Sequence, residues 1–423
     1  MDYILFIVYL LTLCWLVTKI SFVKRAGIEN KYVVLLFVAK VFAGLTIGWI
    51  SLHLYSTGND YWDVNREGWK EYQLIWSDPH EYLVNIFKSN YGEHYGGLFD
   101  SFQSFWNDLR NNITIKLLSV FDIFSRGNYY INSLFFNFFG FLGHVAFYRI
   151  FIQVYKKQQI AVIIGCFLLP SMLYFTSGIQ KDGIVFTMLG FLCYAVFQSL
   201  QMQRFTKKYL LVIFFSFIVL FLIRSYVLIN LLPALAIWIL AAKYKWSPFK
   251  SFVIGYIIAG ILFFNINSLV PGINPPQIVC NKQADFFTLP IAATQVQLDT
   301  LHPNFKSFAV NAPRAFNHLL LRPYPAELPV KNLLPINIEL VGYEILLLLF
   351  LLFKRKKEPG ENDPFILFGI FFTLSMFLFI GYIMPNLGSL IRYRSVYLPF
   401  LITPVLCKIN WEKLWAPVKL KNK

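Results

Sequence analysis

Long apolar runs recur along the whole chain and constrain its fold more than any other feature. Several extend over about 18–20 residues, the length of α-helix that crosses a hydrocarbon core ~30 Å thick. Only 14% of the 423 residues are charged, whereas soluble domains carry roughly 25%. The runs lack the period of two that marks barrel strands, and backbone groups in lipid must otherwise bond within helices. The sequence therefore predicts an all-α integral membrane protein.

The runs predict a polytopic transmembrane helix bundle of about eleven helices in one membrane domain, 1–423. The predicted spans are 3–19, 33–54, 130–154, 160–177, 183–201, 209–224, 227–242, 251–269, 338–353, 364–384 and 393–408. The division between 224 and 227 matters most, because a single long helix there would invert the side of every later loop.

Basic residues cluster in short connections at alternate helix ends, and the positive-inside rule places these connections in the cytoplasm. The basic connections are "KISFVKRAGIENK", "YKKQQ", "RFTKKY", "KYKWSPFK", "KRKKEPGEND" and the tail "KINWEKLWAPVKLKNK". This distribution accounts for the net charge of +16 without invoking nucleic acid. The five cysteines form no CxxC pair, so neither a zinc site nor a disulfide framework is supported.

Two connections are long, and the same parity places both outside the cell. The first, 56–129, holds ten acidic and six basic residues. Its segments "EYLVNIFKSNY" and "SFQSFWNDLRNNITIKLLSVFDIF" place aromatic residues at helical spacing, which predicts amphipathic helices along the outer membrane boundary. The second, 270–337, is rich in Pro and is predicted to be irregular.

Two carboxylates follow the second predicted helix, within "GNDYWDVNREGW". Asp60 and Asp63 are three residues apart and would share a face of a helix. At a membrane exit, such a carboxylate can act as a general base towards a hydroxyl or can hold a divalent cation. Solvated helix capping is the structural alternative. Asp60 is the preferred catalytic candidate, because it lies nearest the membrane.

Cations at the predicted outer ends of helices are the candidates for binding phosphate. They are Lys181 in "SGIQKDGIVF", Arg224 in "FLIRSYV", and Arg392 and Arg394 in "NLGSLIRYRSVYLPF". Arginine offers a planar fork that matches phosphate oxygens, and the arginine pair before the last helix opposes the positive-inside bias. A local pair between Lys181 and its neighbour Asp182, and snorkelling of Arg224, remain the structural alternatives.

A third set of polar residues lies in the second long loop. "RAFNHLLLR" spaces Arg314, His318 and Arg322 at four-residue steps, one face of a helix if the segment is helical. Together with Asp182 they could line a substrate loop, and His318 is either a base or a packing residue. Lys40 is the notable charge within a predicted span, and we expect it to snorkel towards the cytoplasm.

Carboxylates and cations on one side of a membrane suit an anionic lipid carrier and an acceptor hydroxyl. Phosphate is a good leaving group, and cations or a metal such as Mg or Mn would stabilise the charge that develops as it departs. We therefore predict glycosyl transfer on the external face from a polyprenyl-linked sugar. The chain has no P-loop, Rossmann glycine motif or GxSxG elbow.

An ordered set of segments resembles bacterial members of the glycosyltransferase-C superfamily, multi-helix enzymes that use lipid-phosphate sugars. The segments are "GNDYWD", the long first outer loop, "LPSMLYFTSGIQKDGIVF", "LIRSYV" and "GSLIRYRSVYLPF". The resemblance spans nearly the whole chain and maps the superfamily's external acidic residue to Asp60 or Asp63. It implies an enzyme of the bacterial inner (cytoplasmic) membrane in cell-envelope polysaccharide biosynthesis. The implied partners are membrane lipids, a polyprenyl-phosphate-linked sugar donor and a glycan, lipid or protein acceptor.

Two other functions fit the same features. An O-antigen or exopolysaccharide-type polymerase would also work outside, on lipid-linked repeat units. A non-enzymatic lipid or glycan transporter is the alternative from another class, and transporters place their binding charges near the midplane, often at broken helices.

Overall fold

The computed structural model describes residues 2–54, 60–91, 104–289, 294–324, 327, 334–356 and 363–414. Helices and short connections make up this part of the chain, and no β-strand occurs in it. The predicted all-α class is therefore confirmed. The helices of the first half are α1 (Asp2–Lys19), α2 (Ser21–Lys24), α3 (Asn30–Leu54), α4 (Asp60–Ser77), α5 (Pro79–Val84), α6 (Phe105–Ser125), α7 (Tyr129–Val154), α8 (Gln159–Phe167), α9 (Pro170–Phe175) and α10 (Lys181–Gln201). Those of the second half are α11 (Lys207–Lys243), α12 (Pro248–Leu269), α13 (Pro275–Phe287), α14 (Phe305–Leu320), α15 (Leu334–Leu352), α16 (Pro364–Ile383), α17 (Leu387–Ser395) and α18 (Leu398–Lys408).

Eight helices of the described residues are long and apolar enough to cross a membrane, which is the pattern of a multi-pass membrane protein. They are α1, α3, α7, α10, α11, α12, α15 and α16. A ninth span arises if α17 and α18, which meet at 62°, count as one bent crossing. The predicted count of about eleven is therefore not confirmed.

Several predicted spans differ from the helices that form. The run 160–177 is not one helix, because α8 ends at Phe167 and Pro170 begins the six-residue α9. Proline lacks the N–H that a continuing helix would use, and its ring clashes with the preceding turn. The spans predicted as 209–224 and 227–242 are joined in α11, whose only non-helical residue is Arg224 (φ −148°, ψ 78°).

This interruption at Arg224 lies where the sequence predicted the two spans to separate. A straight 37-residue helix would be roughly 55 Å long, far more than a ~30 Å core. The break divides α11 into two apolar halves, each close to the length of one crossing.

Helices occupy both long connections. α4, α5 and α6 lie in 56–129, where amphipathic helices were expected, and α4 packs along α6. The prediction of an irregular second loop is wrong, since α13 and α14 lie within 270–337. α13 begins with Pro275, and proline is favoured at a first helical position because that N–H has no intrahelical partner.

The described chain groups into two compact units, and each unit draws on three separate stretches. The first comprises Met1–Phe147, Met172–Ala195 and Thr206–Leu228. The second comprises Tyr148–Ser171, Val196–Phe205 and Ile229–Lys423. The core of the second includes stacked aromatic rings of α11 and α16, where Trp238 and Phe368 have centroids 4.7 Å apart.

Candidate functional site

A buried ion pair marks the start of α10 in the first unit. Asp182 is fully buried, and its carboxylate lies 2.7 Å from Nη2 of Arg224, whose side chain is 10% exposed. Because the backbone of α11 leaves helical geometry at Arg224, this residue is both the break in the helix and the partner of Asp182. Nη1 of Arg224 also donates a hydrogen bond to the Tyr226 hydroxyl, 2.7 Å away. Two residues that the sequence singled out separately therefore lie together.

Helix α6 crosses the same place and adds a cation that the sequence analysis missed. Arg110 donates from Nη2 to the Ser225 hydroxyl, 3.0 Å away, next to the break in α11. Lys181 donates from Nζ to the Asn111 side chain of α6. The amphipathic pattern of α6 was visible in the sequence, but no local signal indicated which of its polar residues would face α10 and α11.

The resulting group of Arg110, Lys181, Asp182 and Arg224 is here named the cation cluster. Three cations and one carboxylate give it a formal charge of +2. Burial lowers the pKa of Arg110 from its ordinary value. A partly buried group with excess positive charge favours an anionic partner, above all one with oxygens arranged as in phosphate.

Gln180 lies next to the cation cluster and is 2% exposed. Within the described residues, neither Nε2 nor Oε1 of its amide has a hydrogen-bond partner. Unpaired buried polar atoms are rare in folded proteins, so a site for a water or a polar ligand is indicated here.

The turn that carries Gln180 is held in place by contacts with α3 and α7. Gly178 adopts φ +72°, and its N–H donates to the Asn137 side chain at 3.0 Å. The approach of α3 is close, since a Cβ on Gly44 would lie 2.9 Å from the nitrogen of Gly178. Position 178 therefore requires glycine for its left-handed backbone, and position 44 requires it for the contact.

Lys40 holds the same turn and does not snorkel, so that expectation is wrong. It is 1% exposed, and its ammonium donates to the Thr176 carbonyl at 2.8 Å and to the Ser177 hydroxyl at 3.2 Å. Nε2 of His144 lies 3.1 Å from the same nitrogen. Thr176 and Ser177 lie in the interrupted stretch between α9 and α10, and His144 lies on α7, so polar atoms from two elements surround the Lys40 nitrogen and explain why this side chain stays inside.

The two predicted catalytic carboxylates begin α4. Asp60 is the first residue of this helix, and its side chain lies outside the described part of the structure. Asp63 pairs with Arg66 three residues later, and the two side chains are 51% and 66% exposed. Their role in catalysis stays a prediction.

A buried carboxylate that the sequence analysis did not single out, Asp122, connects α6 to α7. Asn132 of α7 donates to Oδ1 of Asp122 at 2.6 Å, and Ser125 donates to the same oxygen at 2.9 Å. Burial raises the pKa of Asp122, and these hydrogen bonds oppose the rise. Asn132 also donates to Asn65 of α4 at 2.9 Å, so one side chain connects all three helices.

The remaining predicted residues belong to the second unit. Arg394 is 3% exposed and donates from Nη1 to the carbonyls of Leu319 (3.1 Å) and Arg322 (2.6 Å). It therefore caps the end of α14. Arg392 lies on α17, partly exposed, and phosphate binding by this pair stays a prediction.

The predicted face of Arg314, His318 and Arg322 forms only in part, because α14 ends before Arg322. Arg314 pairs with Asp299 on the surface, and Arg322 lies 3.4 Å from Glu327. His318 is 3% exposed, and burial together with the charges of Arg322 and Arg314 lowers its pKa to about 4.

No group of three or more metal-binding side chains occurs among the residues that the structure describes. Comparisons with known proteins add no constraint, since no family model, curated protein or solved structure matches the chain.

Proposed function

We propose that this protein transfers a sugar on the external membrane face from a polyprenyl-phosphate-linked donor to a glycan, lipid or protein acceptor. The cation cluster carries the proposal: three cations and one carboxylate are held together by α6, α10 and the break in α11, with an unsatisfied buried amide next to Lys181, and this group suits the phosphate of a lipid carrier. In this proposal the protein belongs to the inner membrane and acts in envelope polysaccharide biosynthesis.

The reaction makes one bond and breaks one. The acceptor hydroxyl oxygen attacks the anomeric carbon of the donor sugar, and the bond between that carbon and the phosphate oxygen breaks. The lipid phosphate leaves with the bonding electron pair, and the hydroxyl proton passes to a carboxylate. Arg110, Lys181 and Arg224 stabilise the charge that grows on the departing phosphate.

Asp60 and Asp63 are the proposed general bases, with Asp60 preferred. Asp182 is a weaker candidate, since it is fully buried and paired with Arg224. A base must reach the proton that it removes, and Asp60 begins the helix that packs on α6. A divalent cation such as Mg or Mn remains part of the proposal as an aid to the leaving group.

Deletion of the gene followed by analysis of lipid-linked glycans tests the reaction. Accumulation of a polyprenyl-phosphate monosaccharide supports transfer. Accumulation of complete repeat units on polyprenyl pyrophosphate supports the polymerase instead. An unchanged pool of both lipids contradicts both enzymatic proposals.

Substitutions test the site. Arg110→Gln, Lys181→Gln and Asp60→Asn should each abolish complementation of the deletion while expression is retained. Lys70→Gln is the matched control, because Lys70 pairs with Glu67 on the exposed surface of α4. Full activity of all three site variants would show that the site is elsewhere.

One observation favours transport as a second candidate. Lys40 is a buried lysine beside an interrupted helical stretch, and transporters bind their substrates at such interruptions. Reconstituted vesicles test this: an externally added phosphatase should reach inner-leaflet polyprenyl phosphate only when the protein is present. Loss of this exposure in Lys40→Met, with glycan transfer preserved, would separate transport from catalysis. No protein-dependent exposure would exclude the second candidate.

A further inference from the structure

The second unit contains a cavity that takes no part in the proposed reaction. Its volume is about 310 Å³, roughly ten times the ~30 Å³ that one water occupies in the liquid. The walls come from the ends of α10 and α11 and from the starts of α12 and α16. Gln201 at the end of α10, Lys245 between α11 and α12, and Asp363 before α16 therefore line one space in this unit.

Two tryptophans line this cavity, and their surroundings resemble those of tryptophans at a membrane boundary. Trp238 is buried, lines the cavity and stacks on Phe368. Trp246 also lines it, is 54% exposed and stacks on Tyr244 with centroids 5.3 Å apart. Half-exposed Trp and Tyr at the ends of apolar helices are typical of the headgroup region of a bilayer.

One cation and one carboxylate line the cavity. Lys245 lies at its rim, two residues after α11 ends, and Asp363 precedes α16. Asp363 accepts a hydrogen bond from the N–H of Phe365 at 2.8 Å, and burial raises its pKa. A cation from a ligand would stabilise the ionised form of this carboxylate. Gln201 adds a polar side chain that can both donate and accept.

Lys245 occupies a backbone position that normally favours glycine. Its φ is +54°, and the hydrogen bonds from Tyr244 N to Leu240 O (2.9 Å) and from Trp246 N to Ala241 O (3.1 Å) close the end of α11 around it. This is the helix-ending geometry in which glycine avoids a steric cost. These hydrogen bonds hold the backbone of Lys245 at the edge of the cavity.

We propose that this cavity binds the phosphoethanolamine headgroup of a membrane phospholipid, with the phosphate on Lys245 and the ammonium on Asp363. The headgroup carries one negative and one positive charge, as do the two side chains. Its acyl chains would extend along the apolar surfaces of α11 and α12. The proposal is independent of the reaction proposed above, because no residue of the cation cluster lines this cavity.

The chain offers variants that remove each charge and keep the local fold. Lys245→Gly removes the ammonium at a position where glycine fits the backbone better. Asp363→Asn removes the carboxylate charge and keeps a good helix cap. Lys243→Gln is the control, because it removes a nearby cation that does not line the cavity. The Lys243 ammonium lies over the ring of Tyr244 instead.

Native mass spectrometry of protein released from nanodiscs tests the proposal. The nanodiscs contain equal amounts of phosphatidylethanolamine, phosphatidylcholine and phosphatidylglycerol with the same acyl chains. Wild type and the control should retain phosphatidylethanolamine over the other two lipids. In each site variant, the ratio of bound phosphatidylethanolamine to the other bound lipids should fall about tenfold. No preference in wild type, or full preference in both site variants, overturns the proposal.

A second experiment adds glycerophosphoethanolamine, which has the same headgroup without acyl chains. Failure of this compound to displace bound phospholipid supports a lipid ligand. Displacement of the phospholipid at equal concentration overturns the proposal.

Discussion

Breaking the buried pair between Asp182 and Arg224 should destabilise the protein strongly. The two groups are 2.7 Å apart, with side chains 0% and 10% exposed. Opposite charges about 4 Å apart attract by roughly 4 kcal/mol at an effective dielectric constant near 20. Asp182→Asn keeps the shape of the side chain and leaves the Arg224 charge uncompensated inside the protein. We therefore expect the free energy of unfolding to fall by about 3–5 kcal/mol.

Equilibrium unfolding in mild detergent with increasing dodecyl sulfate measures this loss. The double variant Asp182→Asn with Arg224→Gln should recover at least ~1 kcal/mol relative to the sum of the single changes, because neither charge is then left alone. Asp63→Asn is the matched control: its partner Arg66 is exposed, so the loss should be at most ~1 kcal/mol. A loss below ~1 kcal/mol for Asp182→Asn, or strictly additive effects in the double variant, would refute the reasoning.

Three further predictions concern pH, packing and sidedness. The pKa of His318 is lowered from 6.5 to about 4 in the folded protein, so as pH falls the unfolded chain takes up this proton at a higher pH than the folded protein does. The free energy of unfolding should therefore fall by up to roughly 3 kcal/mol as pH drops from 6.5 towards 4. Gly381→Ala should cost about 1–3 kcal/mol, because the added Cβ would lie 2.3 Å from the carbonyl oxygen of Ala315. Cysteines at exposed Ser77 and Ser247 should react with an impermeant maleimide from opposite sides of the membrane, with Ser77 labelled from outside.

Each of these has its own control and contrary result. His318→Gln should remove the extra acid sensitivity in unfolding measured from pH 4 to 7, and an unchanged pH dependence would contradict the assignment. Gly342→Ala meets no atom within 4 Å and should be neutral or slightly stabilising in the same unfolding assay. Labelling of both cysteines from one side would remove the basis for an external site.

The sequence predicted the helical class because hydropathy is a local property of each run. It also identified Lys181, Asp182 and Arg224, since charges that interrupt apolar stretches stand out without any structure. The sequence did not predict that these residues lie close together in space. Their proximity depends on the break in α11 and on the docking of α6, and neither follows from local pattern.

Arg110 illustrates what only the tertiary structure decided. Its segment reads as amphipathic, but the register of α6 against α10 and α11 selects it over other polar residues of that helix. Lys40 illustrates a prediction that the tertiary structure overturned, because snorkelling is the usual expectation for a lone intramembrane lysine. Nearby acceptors at Thr176, Ser177 and His144 stabilise it inside instead, and those contacts join positions more than 100 residues apart in the chain. Composition and local patterning thus determined that the chain enters a membrane as helices, whereas long-range packing decided which of its few charges share a site.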